Sequence, residues 1–173
     1  MTLENAMFCI AEKYPWTATW LRTGHIILSA GGRAREARSD QEPCPANIEA
    51  LGCTGVDARG RLAWVGWDLD VGHGTRVFES TDAAIAGARR LRNALHGLAE
   101  IRFSKSGVGV HVRHLWPNDD RPGDYGPVFA KAYAKRLCLP VDPTPLGRQA
   151  FWFWSRIRPQ HAFELIEPHM GIA

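Results

Sequence analysis

No apolar run in this 173-residue chain approaches the ~20 residues that a membrane-spanning helix requires. The N-terminus does not combine a basic start with an apolar stretch, so it does not resemble a secretory signal. Internal repeats and low-complexity segments are also absent. The four cysteines are widely scattered and lack the close pairing typical of a zinc site, which favours free thiols. We therefore expect a cytoplasmic protein without a membrane partner.

The composition is that of an ordinary globular domain, with 45% hydrophobic and 23% charged residues. A chain of this length can bury the core of one domain. The net charge of +3 is compatible with a polyanionic partner but does not require one. Arginines cluster in one predicted loop and on one predicted helix, and each cluster is equally well explained as a solvated face. These clusters are Arg33, Arg35 and Arg38, and Arg89, Arg90 and Arg92.

The spacing of apolar residues predicts helices and strands in mixed order. The clearest helix begins at Ser80, Thr81 or Asp82, which can cap its N-terminus, and stops at Gly97. A polar loop is expected over 31–45. The other predicted helices lie at 3–13, 47–51 and 128–137. The predicted strands lie within 16–30, on both sides of a turn at 58–60, at 99–106 and 107–116, and within 139–142, 151–158 and 162–168.

This order predicts a single α+β domain over residues 1–173. Residues 61–173 would form an RRM-like, mostly antiparallel sheet with flanking helices, built on a β-α-β-β-α-β element that starts at Leu62. Residues 1–60 would form a smaller N-terminal α/β subdomain. We expect an active-site cleft between the two parts.

The first candidate for chemistry is WVGWDLDV, at 64–71. Side chains two apart in a strand share a face, so Asp68 and Asp70 point the same way and Leu69 lies behind them. Two adjacent carboxylates repel unless a cation lies between them, and hard oxygen ligands suit Mg²⁺ or Mn²⁺. Considered without the other motifs, the two aspartates are equally well explained as solvated residues where a strand ends.

The second candidate is SKSGVGVHVRH, at 104–114. Gly107 and Gly109 are expected to leave backbone N–H groups open to a phosphate, while Ser106 adds a hydroxyl and Lys105 a positive charge. His111 supplies a further donor. A plain glycine turn is the alternative. The third candidate is LPVDPTP, in which Asp142 ends a short apolar strand before Pro143, although an ordinary turn aspartate would look the same.

These three motifs, in this order and spacing, resemble those of the archaeo-eukaryotic primase superfamily, whose pattern is hDhD, then S-x-H or S-G-x-G-x-H, then hD or hE, where h is apolar. The likeness is strongest to bacterial, phage and plasmid primase-polymerase domains and to the polymerase domain of bacterial DNA-repair ligases. It covers roughly residues 62–165. The resemblance implies a template-directed nucleotidyltransferase that extends or initiates strands on single-stranded DNA with a primer, using NTPs or dNTPs.

The resemblance also assigns roles to residues. Two divalent ions, Mg²⁺ or Mn²⁺, would be held by Asp68, Asp70 and Asp142. The triphosphate would be held by Lys105, Ser106, Gly107, Gly109 and His111. A basic residue after the third motif would assist, with Arg148 and Arg156 as candidates. An obvious zinc module and a helicase region are missing from the sequence, so the chain would be either the catalytic core of a larger protein or a component that acts with a helicase or an accessory domain or protein.

Two other functions fit parts of the sequence. An HUH-type relaxase or replication endonuclease needs two histidines on one face, but His111 and His114 are three apart in a strand and should face opposite sides. A non-catalytic RRM-like module that binds single-stranded nucleic acid could use the aromatic residues of FWFW, at 151–154, to stack bases. The three carboxylates distinguish these possibilities, since a binding platform has no need of acids in its groove.

Overall fold

The computed structural model describes residues 1–18, 25–57, 59–72, 77–116, 120–140 and 150–170. Within these ranges the chain forms three α-helices, a short 3₁₀ helix at Pro15–Thr17, and two four-stranded antiparallel sheets. The predicted α+β class is confirmed. No helix among the described residues has the length and apolar character needed to cross a membrane.

The bounds of the elements are as follows. The helices are α1 (Leu3–Lys13), α2 (Thr81–Ala94) and α3 (Tyr125–Arg136). The strands are β1 (Ile26–Ala30), β2 (Arg33–Glu36), β3 (Ile48–Thr54), β4 (Trp64–Leu69), β5 (Ala99–Phe103), β6 (Val110–Leu115), β7 (Ala150–Ser155) and β8 (Leu165–Glu167).

The strand order divides the predicted β-α-β-β-α-β element between two sheets. In the second sheet the order is β4-β6-β5-β8, so β4, α2, β5 and β6 follow one another as predicted. Among the described residues, however, the next strand after α3 is β7, and it pairs with β3 in the first sheet, whose order is β2-β1-β3-β7. The fourth place in the second sheet is taken by β8, which lies beside β5.

Both long helices of the second half pack on one face of the second sheet, where they form the main core. Ala84, Ala88 and Leu91 of α2 are buried there, because they recur at the spacing of one helical face. On α3 the carbonyl of Ala130 accepts a hydrogen bond of 2.9 Å from the indole N–H of Trp67. The predicted start of α2 is confirmed: the Ser80 hydroxyl accepts a hydrogen bond from the N–H of Ala83.

The other face of the second sheet packs against β7. Phe151 and Phe153 of β7 are buried, and the Phe151 ring stacks on Trp64 with a centroid distance of 5.3 Å. Gly66 makes this contact possible, since a Cβ on Gly66 would lie 1.8 Å from Cε2 of Phe151. A glycine in the middle of β4 therefore lets the two sheets approach closely.

Three local predictions are wrong. Residues 16–17 belong to the 3₁₀ helix rather than to a strand, and the first strand of the described residues begins at Ile26. Residues 48–51 are part of β3 instead of a helix, because β3 pairs on both sides, with β1 and β7, and is buried along nearly its whole length. The predicted loop over 31–45 contains β2, a short, exposed and charged edge strand.

Candidate active site

A cavity of about 540 Å³ lies where the two sheets meet, and its walls come from both of them. Six of the nine residues predicted for the site line it: Asp68, Asp70, Lys105, Ser106, His111 and Arg156. The remaining described lining residues are Glu49, Val71, Ser104, Trp152, Ser155, Ile157 and Pro159. The fold thus brings together residues from two of the three sequence motifs.

The acid pair lies at the end of β4. Leu69 is fully buried on the helix-covered side of the sheet, so alternation places Asp68 and Asp70 on the cavity side, as predicted. The backbone carbonyl of Asp70 accepts a hydrogen bond of 2.8 Å from the N–H of Phe78, which ties Phe78 to the end of the strand.

His111 lies directly opposite Asp68, on β6. Its Nε2 atom is 3.4 Å from Oδ1 of Asp68. That oxygen has no hydrogen-bond partner among the described residues, so the contact is electrostatic. The ring also packs against Phe151, with centroids 4.3 Å apart. Burial lowers the pKa of His111, and the nearby Asp68 carboxylate only partly opposes that shift, so the imidazole is neutral near pH 7.

The hairpin at 104–109 differs from the expectation that its glycines present open N–H groups. The N–H of Gly107 donates to the carbonyl of Ser104 at 3.1 Å, and the N–H of Gly109 donates to the hydroxyl of Ser106 at 3.3 Å. Gly107 has a φ of +74°, and a Cβ there would lie 2.1 Å from the carbonyl oxygen of Gln160. Both glycines therefore serve the turn and its close packing, and neither belongs to the described wall of the cavity.

Ser106 stabilises the turn through its hydroxyl and can also donate a hydrogen bond into the cavity. Its hydroxyl is 2.8 Å from the hydroxyl of Ser104, and the side chain is exposed at the mouth of the cavity. A hydroxyl of this kind both accepts the hydrogen bond of the turn and has a proton to donate.

The two cations of the predicted site lie on the cavity wall. The ammonium of Lys105 is 5.3 Å from the ring centre of Trp152. The guanidinium of Arg156 donates to the carbonyl of Ala46 at 2.9 Å and its side chain is exposed. Arg156 comes directly after the last residue of β7. The alternation of side chains along the strand therefore does not determine which way its guanidinium points.

Asp142, the third predicted acid, and Arg148 lie outside the described residues. Among the described residues, no three histidine, cysteine, aspartate or glutamate side chains come together as a metal site. One observation nevertheless fits a cation: Oδ1 of Asp68 is buried and makes no hydrogen bond to the part of the chain that the structure describes. An uncompensated buried carboxylate oxygen is costly, and a divalent ion bound by Asp68 and Asp70 would satisfy it.

Glu49, which was not predicted from the sequence, also lines the cavity, from β3. Its carboxylate accepts hydrogen bonds from the hydroxyl of Ser29 at 3.0 Å and from the N–H of Gly32 at 3.1 Å. These bonds hold the hairpin between β1 and β2 against the cavity wall. The signal was a single acid in an otherwise apolar run, and it was lost because 47–51 was predicted to be a helix.

A buried group of charges under the cavity was missed as well. Glu100 accepts hydrogen bonds from Nε of Arg102 at 3.0 Å and from Nη1 of Arg113 at 3.4 Å. All three side chains are buried, and burial lowers the pKa of Arg113 to about 10, so it stays charged at neutral pH. Charged residues at alternating positions of β5 and β6 were the signal for this cluster.

His114 occupies the opposite face from His111, as alternation predicts. Its Nδ1 atom is 2.7 Å from the carbonyl oxygen of Leu98, and its ring lies parallel to that of Phe129 on α3. His111 and His114 therefore cannot hold one metal ion together across the sheet.

Comparisons of the chain with protein-family models, with curated proteins and with solved structures find no match.

Proposed function

We propose that this protein is a template-directed nucleotidyltransferase of the primase-polymerase type, acting on single-stranded DNA with a primer and with NTPs or dNTPs. The observation that supports it is the shared cavity: two carboxylates at the end of β4 line it together with a lysine and a hydroxyl of the hairpin and with a histidine beside Asp68 on β6. Phosphoryl transfer needs this combination, because catalysis is mainly positioning and charge compensation.

In this proposal Asp68 and Asp70, together with Asp142, hold two divalent ions. The buried and unsatisfied oxygen of Asp68 supports the fit. Bound Mg²⁺ or Mn²⁺ would compensate the charge that develops on the transferred phosphate and on the attacking 3′-hydroxyl.

The protein's own donors then serve the rest of the triphosphate. Lys105 contributes a fixed charge, Ser106 a hydroxyl at the mouth of the cavity, and His111 a ring nitrogen that already faces the acid pair. Arg156 would contact the phosphate or the primer after leaving its bond to Ala46. A helicase or an accessory domain or protein is the proposed partner for starting primers.

The test is primer extension on a single-stranded template, with Mg²⁺ and Mn²⁺ in separate reactions and with dNTPs and NTPs separately. We expect the wild type to extend the primer and the double variant Asp68→Asn, Asp70→Asn to lose at least about 1000-fold in rate, as removal of metal ligands would. Asp82→Asn, at an exposed aspartate on α2 that lies outside the cavity wall, is the matched control and should keep full activity.

A wild type that stays inert with several primer-templates, both metals and both nucleotide types contradicts the proposal. Activity that survives in the double variant also contradicts it, since the acid pair would then have no role. A further variant, His111→Ala, should weaken nucleotide binding about tenfold while single-stranded DNA binding survives. Equal loss of both would remove the role assigned to this histidine.

A second candidate is a non-catalytic module that binds single-stranded nucleic acid. It is favoured by Trp152, which is half-buried in the cavity wall with the Lys105 ammonium over its ring. An aromatic ring beside a cation is a base-stacking arrangement. This candidate predicts DNA binding that does not change in the double aspartate variant, together with no extension by the wild type.

A further inference from the structure

Arg113 is the most completely enclosed charge under the cavity, with no exposed surface. It lies on β6, two positions after His111, and therefore on the same face of the sheet. Its guanidinium contacts the Glu100 carboxylate, the carbonyl of Trp152 at 3.4 Å and the face of Phe153 at 4.5 Å. These contacts on several sides fix its position.

One of its nitrogens points at His111: Nη2 of Arg113 is 3.3 Å from Nδ1 of the imidazole. A guanidinium has five N–H donors and no acceptor, so Nδ1 can take part only as an acceptor. A proton on Nδ1 would place two donors against each other at 3.3 Å inside the protein. The imidazole proton must then be on Nε2, which is the nitrogen that faces Asp68 and the cavity.

We propose that Arg113 is a positioning residue that holds His111 as the Nε2–H tautomer, so that this ring presents an N–H donor to the cavity. In the absence of such a contact the two neutral tautomers of an imidazole exchange, and a donor faces the cavity only part of the time. The benefit to a bound triphosphate rests on the proposed function, whereas the tautomer itself does not.

The same contact explains why a charge is buried here at all. Glu100 compensates the charge of Arg113, and the Trp152 carbonyl, on β7, accepts a further bond. The guanidinium thereby links the ring of His111 on β6 to the strand that closes the cavity. A residue of equal size without donors would fill the space but would leave Nδ1 of His111 without a partner among the described residues.

The experiment measures the tautomer directly in the full chain, labelled with ¹⁵N-histidine, by long-range ¹H–¹⁵N correlation spectra of the imidazole rings. The His111→Gln variant assigns the His111 signals by their loss. We expect wild-type His111 to be protonated on Nε2 alone. In the double variant Glu100→Gln, Arg113→Met, which removes both charges together, we expect a mixture of tautomers and an approximately tenfold weaker affinity for a nucleoside triphosphate.

Two controls separate position from stability. Glu100→Gln alone keeps Arg113 and should keep the Nε2–H tautomer. Arg113→Lys keeps a charged donor and should also keep this tautomer, in contrast to the double variant. A wild-type spectrum with Nδ1 protonated overturns the proposal even where the double variant fails to fold, and so does an unchanged tautomer in a folded double variant. An inert wild type whose tautomer nevertheless depends on Arg113 would refute the nucleotidyltransferase and leave the positioning role standing.

Discussion

The close approach of the two sheets at Gly66 yields a sharp prediction for Gly66→Ala. A methyl group there would lie 1.8 Å from Cε2 and 2.7 Å from Cζ of Phe151. The ring must retreat by well over 1 Å to reach the roughly 3.5 Å at which carbon atoms attract each other. It has little room, because Trp64 and His111 pack against it at 5.3 and 4.3 Å. We therefore expect a loss of about 3 kcal/mol in the free energy of unfolding, at the upper end of overpacking effects.

The assay is chemical denaturation of four proteins: the wild type, Gly66→Ala, Phe151→Leu and the double variant. Leucine has no atoms at the positions of Cε2 and Cζ, so it removes the shortest contact and leaves only one at the position of Cδ2, which lies 2.8 Å from the added methyl group. Alone it should cost about 1–2 kcal/mol, less than the ~3–5 kcal/mol of Phe→Ala. The double variant should then be more stable than the sum of the single losses by about 2 kcal/mol.

Gly60→Ala is the control for the backbone alone. Gly60 has a φ of +75°, and no atom of the described residues lies within 4 Å of its missing Cβ, so alanine meets strain there but no described neighbour. It should cost about 1–2 kcal/mol and combine additively with Phe151→Leu. A loss below about 0.5 kcal/mol for Gly66→Ala, or strict additivity with Phe151→Leu, would refute the packing described between the sheets.

Two further predictions concern the face covered by helices. Burial lowers the pKa of His114 below its ordinary value near 6.5, so the unfolded chain binds a proton at this histidine more readily than the folded protein does. The free energy of unfolding should therefore fall as the pH drops below about 6.5. In urea titrations at several pH values, His114→Gln should reduce this dependence on pH, and an unchanged dependence would contradict a neutral, buried ring. Ser80→Ala removes the cap on Ala83 and should cost about 1 kcal/mol by the same assay, whereas Ser80→Asp should retain most of the stability; equal losses in the two variants would mean that the cap contributes nothing.

Features governed by neighbouring residues could be predicted from the sequence. Ser80 caps α2 and Gly97 adopts a φ of +79° after it, and both properties follow from the side chains themselves. The common orientation of Asp68 and Asp70 follows in the same way from strand alternation, as do the opposite faces of His111 and His114.

Features governed by distant residues could not. Gly107 was expected to expose its backbone, but Gln160 packs on it. The residues that neighbour Gly107 in the sequence do not predict that contact. Residues 48–51 form a strand because β1 and β7 pair on either side of them, and β7 comes from the far end of the chain. For this reason the position of Glu49 in the cavity wall could not be predicted from the sequence.

The pairing of β3 with β7 also sets the order in which the cavity can be assembled. Arg156 bonds to Ala46 across 110 positions of the chain, so during synthesis this wall is completed only after β7 has left the ribosome. Until then the polar face of β4, β5 and β6 is open to water. Water solvates Asp68, Glu100 and Arg113 there, so the partly folded chain does not carry the free-energy cost of buried, unpaired charges. Long-range closure of this kind is slow compared with helix formation. Strands β4, β5 and β6 can thus form early with α2 and α3, whereas β8, which completes the second sheet, is made after β7. Under the proposed function, nucleotide binding would be among the last properties that a new chain acquires.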